Sequence, residues 1–427
     1  MHSSAIRRAI TIAAVLCAAR ANAQITNIRP ADQTGINVFE APKQDTIPFK
    51  GVRIGWGAAF TQDFQNLTHQ NTASPVLANG INSNQLIAIG PGFTTAMANL
   101  NLDVQLAQGI HVDLTTYLST RHHNDTWVKG GYIQVDGSPF DVKPLNDIMQ
   151  YLTLRVGQFE VNYGDAHFRR TDGGNGMDNP FVGNLIMDAY TTEIGADATV
   201  RLGGLMAMVG FTGGASDGQV TSPGKHQPAY LAKVGFDGQP GDNLRIRLTA
   251  SMYTDAKSTD NVLYSGDRAG SHYFDVLENT TSTETGNAWS GNIQPGFTDH
   301  VASYVLNPFV KYYHLEFFGN IETATGAAAT ETSNRTWRQL SGDLVYRFFP
   351  KDRMYIAARL NTATGEIVGA PTDVSVQRTQ FGLGIFVTKN LLAKAEWVNQ
   401  TYNSFPSNNI LNGGKFSGLM LEGAVSF

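Results

Sequence analysis

The sequence predicts an all-β protein, a transmembrane barrel of antiparallel strands, and three observations lead to it. Apolar and polar residues alternate strictly in many segments of about ten residues, which is the pattern of a strand with two different faces. Charged residues make up only 16% of the 427 residues while there are 44 glycines, an unusual balance for a soluble domain. The connections between segments are short and long in turn, which favours a barrel with two different ends.

The first 23 residues are predicted to be a secretory signal peptide. Two arginines, Arg7 and Arg8, precede an apolar run over residues 9–19. The sequence Ala-Asn-Ala at 21–23 then offers the small residues of a cleavage site. The apolar run is too short for a bilayer span, which takes about 20 residues. Because the only cysteine, Cys17, lies in this segment, we expect the exported chain to have no disulfide and no thiol chemistry.

Alternation is clearest over residues 98–106, where alanine, leucine and valine occupy the even positions and asparagine, aspartate and glutamine the odd ones. Strands in soluble sandwiches average about 5–6 residues, whereas membrane strands need about 9–11. Most alternating segments here are of the longer kind, so a membrane barrel is favoured. Counting them predicts 16 strands, over residues 52–64, 96–107, 110–121, 127–136, 151–162, 189–202, 205–214, 228–237, 243–255, 301–313, 315–326, 335–349, 353–364, 373–388, 391–402 and 415–427.

The connections separate into two kinds. Tight turns, such as 203–204 and 389–390, alternate with much longer loops. An even number of strands with short periplasmic turns and long extracellular loops is typical of outer-membrane barrels. Two connections break the alternation, since 122–126 is short and 137–150 is long.

The last predicted strand alternates up to a terminal aromatic residue, Phe427. Bacterial outer-membrane barrels typically end in this way, and their assembly machinery reads the final aromatic residue; this chain resembles them. We therefore expect a periplasmic N-terminal segment at 24–51 and a barrel at 52–427. The barrel would lie in the bacterial outer membrane, in contact with membrane lipid and lipopolysaccharide, with Phe427 as the assembly signal.

One segment resembles a known family closely enough to suggest a function. Residues 152–170 (LTLRVGQFEVNYGDAHFRR) and 171–199 (TDGGNGMDNPFVGNLIMDAYTTEIGADAT) are similar to the strand, inserted loop and returning strand of 16-stranded phosphate-selective porins. The segments 35–43, 51–71 and 126–136 also resemble porin relatives. The resemblance implies a water-filled channel for passive diffusion of small hydrophilic solutes or ions, and a homotrimer, which is common among such porins.

A barrel of this size encloses a lumen too wide for side chains to fill. A selective channel therefore needs a constriction, and the long connection at about 163–188 is predicted to fold inward and provide it. The alternative for this connection is a mobile extracellular loop. The predicted pore-lining and constriction residues are Arg155, Asp165, His167, Arg169, Arg170, Asp172, Arg201, Arg245, Arg247 and Arg359.

Strand parity places slightly more cations than acids on the inner face of the predicted barrel. Arg378 and Lys394, for example, are accompanied by Glu396 and Glu422. Rings of charge set the selectivity of pores, so we expect a mild anion preference. The net charge of −5 argues against a nucleic-acid partner, since there is no cationic surplus to neutralise phosphates.

No cofactor, metal site or catalytic site is predicted. His122 and His123 are adjacent, so on a strand they would point to opposite faces. Asp172, Asn175 and Asp178 lack the distal glutamate of a calcium-binding loop. Neither a G-x-S-x-G nor an H-E-x-x-H motif is present, and the scattered histidines do not indicate an enzyme.

The serious alternative to a channel is a surface barrel that conducts nothing, either an adhesin or a structural protein. The long connection at 256–300, rich in polar and aromatic residues, could then bind a partner, or it could be variable surface. A plugged transporter is disfavoured, because residues 24–50 are too few for a plug domain.

Overall fold

The structure is a computed structural model that describes residue 25 and residues 28–43, 48–120, 126–140, 142–216, 218, 220–221, 224–265, 272–370 and 372–427. Within these residues 16 long antiparallel strands form one closed barrel. The barrel closes where Ala59–Gln70 of the first strand pairs with Ser426–Lys415 of the last. The predicted signal peptide and the pair His122-His123 lie outside the described residues.

The barrel strands are numbered in chain order. Strands β1 to β16 are Arg53–Gln70, Met97–Ala107, Ile110–Ser119, Trp127–Val135, Leu152–Glu160, Thr192–Leu202, Leu205–Thr212, Ala229–Gly241, Leu244–Asp255, His300–Tyr312, Leu315–Ala327, Arg335–Phe348, Met354–Gly365, Val374–Thr388, Leu391–Asn403 and Lys415–Ser426. The α-helices are α1 (Lys143–Met149) and α2 (Glu284–Asn287), and short 3₁₀ turns cover Gln33–Gly35, Ala166–Phe168 and Pro350–Asp352. Two-residue strands occur at Leu77–Ala78, Ile81–Asn82, Gly92–Phe93, Tyr273–Phe274 and Trp289–Ser290.

All 16 predicted strands are confirmed. One strand bound and one connection are informative. Strand β1 continues to Gln70 instead of ending at 64, because its two halves have different partners: Arg53–Thr61 pairs with β2 and Ala59–Gln70 with β16. The unusually long turn after β4 contains α1, which begins with a proline in its first turn. A proline there costs no hydrogen bond, since the first amides of a helix have no partner within it.

The barrel wall is apolar outside and polar inside. On β13 the side chain of Leu360 is 67% exposed on the outer face, while its neighbours Arg359 and Asn361 are buried on the inner face. This is the reverse of a soluble protein and the arrangement of a membrane barrel. Lipid contact stabilises each outward leucine-sized side chain by about 1.5–3 kcal/mol relative to water. Among the described residues, no helix is long and apolar enough to cross a membrane.

Three segments occupy the interior of the barrel. Residues 28–43, the N-terminal strap, cross the mouth on the short-turn side, where the Gln33 amide donates to Lys389 O in the turn before β15. Residues 161–191, the constriction loop, fold into the lumen after β5, as predicted. The described residues of the connection 256–299, the second lumen loop, also turn inward in part. Part of this loop is not variable surface, because Tyr273 and Val276 are buried inside the barrel, whereas residues 283–287 are exposed.

Candidate functional site in the barrel lumen

The constriction loop is anchored at its beginning by a buried carboxylate. Asp165 is fully buried and accepts hydrogen bonds of 2.8 Å from Arg247 and from Thr249, and its Oδ1 lies 2.7 Å from Lys233 Nζ. Burial alone would raise the pKa of Asp165, but Lys233 and Arg247 hold it well below its usual range. The anchor is therefore an ion-paired cluster that joins the loop to β8 and β9.

The N-terminal strap shares this cluster. Glu40 Oε1 and Oε2 accept hydrogen bonds of 2.8 and 2.7 Å from the two terminal nitrogens of Arg247. Phe39 is buried beside it, with its ring centroid 5.3 Å from that of Phe309 and 5.9 Å from that of Phe168 in the constriction loop. The strap thus packs against both the wall and the underside of the constriction loop.

The returning half of the constriction loop is held through its backbone. Glu396 accepts hydrogen bonds of 2.7 and 3.0 Å from the amides of Val182 and Gly183, and Asn361 accepts one of 2.7 Å from Ile186. Irregular backbone can be buried only if its polar groups find partners. Side chains on the barrel wall supply those partners here, so the loop needs no secondary structure of its own.

Inward cations also bind the loop. Lys394 Nζ donates to the carbonyls of Gly176, Asn179 and Phe181 at 2.9–3.2 Å. Arg359 donates to Gly183 O at 3.0 Å while it pairs with Asp343 on β12. These cations therefore fix the loop, and their charges and hydrogen-bond donors are already used by protein groups instead of being available to anions in the lumen.

Near its middle the loop approaches the opposite wall. Asp172 accepts a hydrogen bond of 2.7 Å from Asn99 on β2 and pairs with Lys129 on β4. The next residue, Gly173, has a φ of 88°, a conformation that favours glycine. A Cβ on Gly174 would lie 2.8 Å from the backbone of Ala98, so this glycine is needed for close approach to the strand.

The remaining predicted residues of the constriction loop also make contacts within the barrel. His167 lies 3.5 Å from an acid at the end of β5. Arg169 donates to Asn37 of the strap, and Arg170 pairs with Asp188 of its own loop at 2.6 Å. The loop is therefore tied together internally as well as to the wall.

Three predicted arginines lie on strands facing the lumen. Arg155 on β5 pairs with Asp197 on β6. Arg201 and Arg245 donate to carbonyls of the strap, at Ala41 and Asn37 respectively. Two of the three thus hold the strap across the turn-side mouth, while Arg155 lies on a less covered part of the wall.

That part of the wall differs from the rest in its solvent exposure. Near the middle of β2 to β5 six inward side chains are partly exposed, although inward residues nearer the strand ends, such as Asn99 and Gln105, are buried. The inward side chains that face the loops from β8 to β16 are buried. We call the first set the open wall and the second the covered wall. The open wall comprises Asn101, Asp103, Asp113, Thr115, Tyr132 and Arg155. The covered wall comprises Lys233, Asn307, Glu322, Gln339, Asp343, Arg359, Asn361, Arg378, Lys394 and Glu396.

One cluster was missed by sequence reasoning. His272 of the second lumen loop places Nδ1 2.8 Å from Asp63 Oδ2 on β1 and 3.3 Å from Glu422 Oε2 on β16. Its Nε2 lies 3.1 Å from Thr171 Oγ1 of the constriction loop. No spacing in the sequence reveals this cluster, because its members come from four separate segments. An acid, an imidazole and a hydroxyl in line resemble a nucleophilic triad, but burial of all three closes them to a substrate.

The predicted assembly residue lies at the barrel seam. The amide and carbonyl of Phe427 pair with the backbone of Ala58 at 3.0 and 2.9 Å, and the side chain is 61% exposed on the outer surface. The terminal residue therefore extends the pairing between β16 and β1.

No protein-family model and no curated protein sequence matches this chain. Solved structures do match it in fold. The anion-selective porin from Comamonas acidovorans has a TM-score of 0.52 at 9% identity, covering 88% of this chain and 100% of that chain. The outer membrane channel DcaP of Acinetobacter baumannii has a TM-score of 0.50 at 11% identity, with 89% and 99% covered. OprB of Pseudomonas putida has a TM-score of 0.50 at 12% identity, with 88% and 94% covered.

The matches span nearly the whole barrel, and the apolar outer surface and polar interior agree with them. The chain is a transmembrane β-barrel of the bacterial outer membrane with the fold of the 16-stranded porins.

Proposed function

We propose that the protein is an outer-membrane channel for passive diffusion of small hydrophilic solutes, and that its path runs between the open wall and the constriction loop. The observation that supports this most is the distribution of exposure. Polar inward side chains such as Asn101, Asp113 and Thr115 stay partly exposed, while those of the covered wall are buried. Water can therefore reach one side of the lumen and is excluded from the other.

The constriction loop gives such a path a fixed width. It is bound at Asp165 to β8 and β9, at Asp172 to β2 and β4, and at residues 182–187 to β12, β13 and β15. A segment held on several sides has little freedom to move as a gate. The fixed position of the loop would limit the size of the solutes that pass, as expected where a rigid scaffold holds a functional loop.

Planar-bilayer conductance of the purified full chain tests the proposal. Wild-type protein should form discrete conducting pores. Thr115→Trp, which places an indole on the open wall, should lower the single-channel conductance. Leu114→Trp is the matched control, since Leu114 is 42% exposed on the outer face of the same strand and its substitution should leave conductance unchanged.

The outcomes separate the two functional classes. A correctly folded protein that forms no pore would contradict the channel and favour the adhesin or structural barrel. Equal conductance for Thr115→Trp and Leu114→Trp would contradict the path along the open wall while leaving a channel elsewhere. Deletion of residues 165–180 should raise conductance, and an unchanged value would contradict the constriction role alone.

The expected charge selectivity is weak. On the open wall Arg155 is paired with Asp197, and Asp103 lies directly opposite Asp113 in the register of β2 and β3. The mild anion preference predicted from the excess of inward cations therefore has little unpaired positive charge behind it. Reversal potentials in a salt gradient should lie close to zero with a small anion bias, and strong cation selectivity would contradict that prediction.

We also propose that the barrel assembles as a homotrimer through the side where the strands β4 and β5 are short. Strands β4 and β5 have 9 residues each, whereas β12 and β14 have 14 and 15. A low wall is poorly matched to lipid and is better covered by another protein. Native mass spectrometry in detergent should give three chains.

Phe427 is proposed as the assembly signal. Phe427→Ser should reduce the amount of barrel assembled in the outer membrane without changing the conductance of the barrels that form.

A further inference from the structure

Three potential metal ligands meet where the barrel closes. Asp63 on β1 and Glu422 on β16 are directly paired in register, and both point inward. His272 of the second lumen loop lies between them, and the three ligand atoms all lie within 4.8 Å of one another. We propose that Asp63, His272 and Glu422 bind a divalent transition-metal ion of the zinc type, which fastens the second lumen loop to the barrel seam.

The spacing suits a tetrahedral ion. Bonds of about 2.0–2.2 Å to nitrogen and oxygen place tetrahedral ligands about 3.3–3.5 Å apart. His272 Nδ1 lies 2.8 Å from Asp63 Oδ2 and 3.3 Å from Glu422 Oε2, so small side-chain shifts would complete the geometry. Three protein ligands leave a fourth position for water, as in many zinc sites.

The carboxylates are only partly satisfied by hydrogen bonds. Among the described residues, neither oxygen of Glu422 nor Oδ1 of Asp63 has a hydrogen-bond partner, although both side chains are nearly fully buried. Lys394 forms an ion pair with Glu422 and also donates to three carbonyls of the constriction loop. Within the described part of the chain, Glu422 thus has ion-pair partners but no well-directed hydrogen bond, and Asp63 Oδ1 has neither; burying such oxygens is costly, and a bound cation would remove that cost.

Neighbouring residues also form the hydrogen bonds that usually orient the ligands of a metal site. A histidine that binds a metal through one ring nitrogen donates its other N–H to a neighbouring acceptor. His272 Nε2 lies 3.1 Å from Thr171 Oγ1, which fixes the ring with Nδ1 towards the two carboxylates. Lys394 holds Glu422 in place in the same way.

The donor set determines the class of ion. One imidazole and two carboxylates suit zinc and its first-row neighbours, whereas calcium and magnesium prefer oxygen ligands in greater number. The rival explanation is a protonated His272 that neutralises the two acids without any metal. The site does not depend on whether the barrel conducts.

Equilibrium dialysis of the full chain, purified without a histidine tag, tests the site directly. With ZnCl₂ the wild type should bind one ion per chain and with CaCl₂ none. His272→Gln should lower zinc affinity by at least about 100-fold, and Thr171→Val, which removes only the outer hydrogen bond, by about tenfold. His300→Gln is the matched control, because His300 Nδ1 also lies 2.8 Å from a carboxylate, that of Asp299, but faces only that one.

Two further measurements keep the proposal open to contradiction if a variant folds poorly. X-ray absorption of the zinc-loaded wild type should show nitrogen and oxygen neighbours at about 2.0–2.2 Å, and zinc should raise the Tm of wild type but not of His272→Gln. Wild-type protein that binds no zinc, or binds it equally well with His272→Gln, would show that the cluster is only an ion pair and overturn the site.

Discussion

The open and covered walls of the lumen have the same alternation of residues, but their inward polar side chains differ in solvent exposure. On the covered wall Lys233, Asn307 and Glu396 have no exposed surface at all. On the open wall Asn101 and Thr115 remain partly exposed. The difference shows that an inward polar residue in a wide barrel has two possible uses, since it can dock a loop or line a water-filled path.

The side chains differ in reach as well as in exposure. The covered wall carries long donors and acceptors, such as Arg378, whose guanidinium reaches Asn184 O at 2.6 Å in the constriction loop. The open wall carries short acids and a stacked pair, with Arg155 lying 5.6 Å from the ring centroid of Tyr132. On the covered wall the side chains reach a loop, whereas Arg155 on the open wall pairs with Asp197 of the wall itself, so the partner reached separates the walls.

The largest difference between the walls should appear in stability. Asp165→Ala leaves Lys233 buried without its nearest carboxylate and deprives Arg247 of one of three carboxylate partners, which should cost about 3–5 kcal/mol of unfolding free energy. Asp103→Ala on the open wall should cost about 1 kcal/mol or less, because Asp103 is partly exposed and faces Asp113, not a cation. Urea unfolding in detergent measures both. Similar losses would mean that the walls are not distinct.

Cysteine labelling should give the next largest contrast. Since Cys17 lies in the predicted signal peptide, a single introduced cysteine can be followed in the exported chain. Thr115→Cys on the open wall should react with a small charged methanethiosulfonate reagent at least about 100-fold faster than Ser341→Cys, which would be buried behind the constriction loop. Modification of Thr115→Cys should also reduce the current. Equal rates would place the water path elsewhere.

The strands could be predicted from the sequence because alternation is a local signal. In a strand, the polarity of each residue indicates which face it lies on. A shift of one residue would move every side chain to the other face, so the pattern locates the 16 strands with only small errors at their ends. The constriction loop could be predicted from its length and position. In both cases the information lies within a few tens of residues.

The contents of the lumen could not be predicted in the same way. Glu40 binds Arg247, and the two are separated by 207 residues along the chain. His272 meets Asp63 across 209 residues. Alternation indicates which way a side chain points but not what covers it, so the positions of the strap, the second lumen loop and the cluster of Asp63, His272 and Glu422 follow only from the three-dimensional structure.

A smaller effect should follow from crowding the contact between the constriction loop and the covered wall. A Cβ on Gly183 would lie 2.2 Å from Tyr273 Oη and 3.1 Å from Gln380 Nε2, so Gly183→Ala should cost about 1–3 kcal/mol of stability. Gly90→Ala is the control, because nothing lies within 4 Å of its Cβ position and its φ is not positive. Thermal unfolding compares them. A neutral Gly183→Ala would indicate that the loop is packed more loosely than described.

The smallest effect should be the response of the strap to acid. Burial alone would raise the pKa of Glu40 and of Asp165, but Lys233 and Arg247 lower both below their usual values. Carboxylates of this kind stabilise the folded state above their unfolded pKa values, about 4.3 and 3.9, and this stabilisation is lost as the pH falls through the lower folded values.

The strap should therefore stay docked at neutral pH and loosen below about pH 4. Hydrogen exchange of residues 28–43 at pH 7 and at pH 3, corrected for the intrinsic pH dependence of exchange, measures this. The variant Glu40→Gln lacks the charge that pairs with Arg247. Residues 28–43 of this variant should therefore exchange faster at pH 7, and their exchange should change less on acidification. Strand β3 on the open wall gives the comparison, since Glu40 and Asp165 bind β8 and β9 instead. Equal protection of the strap at both pH values would mean that the aromatic packing of Phe39 holds it without help from Glu40.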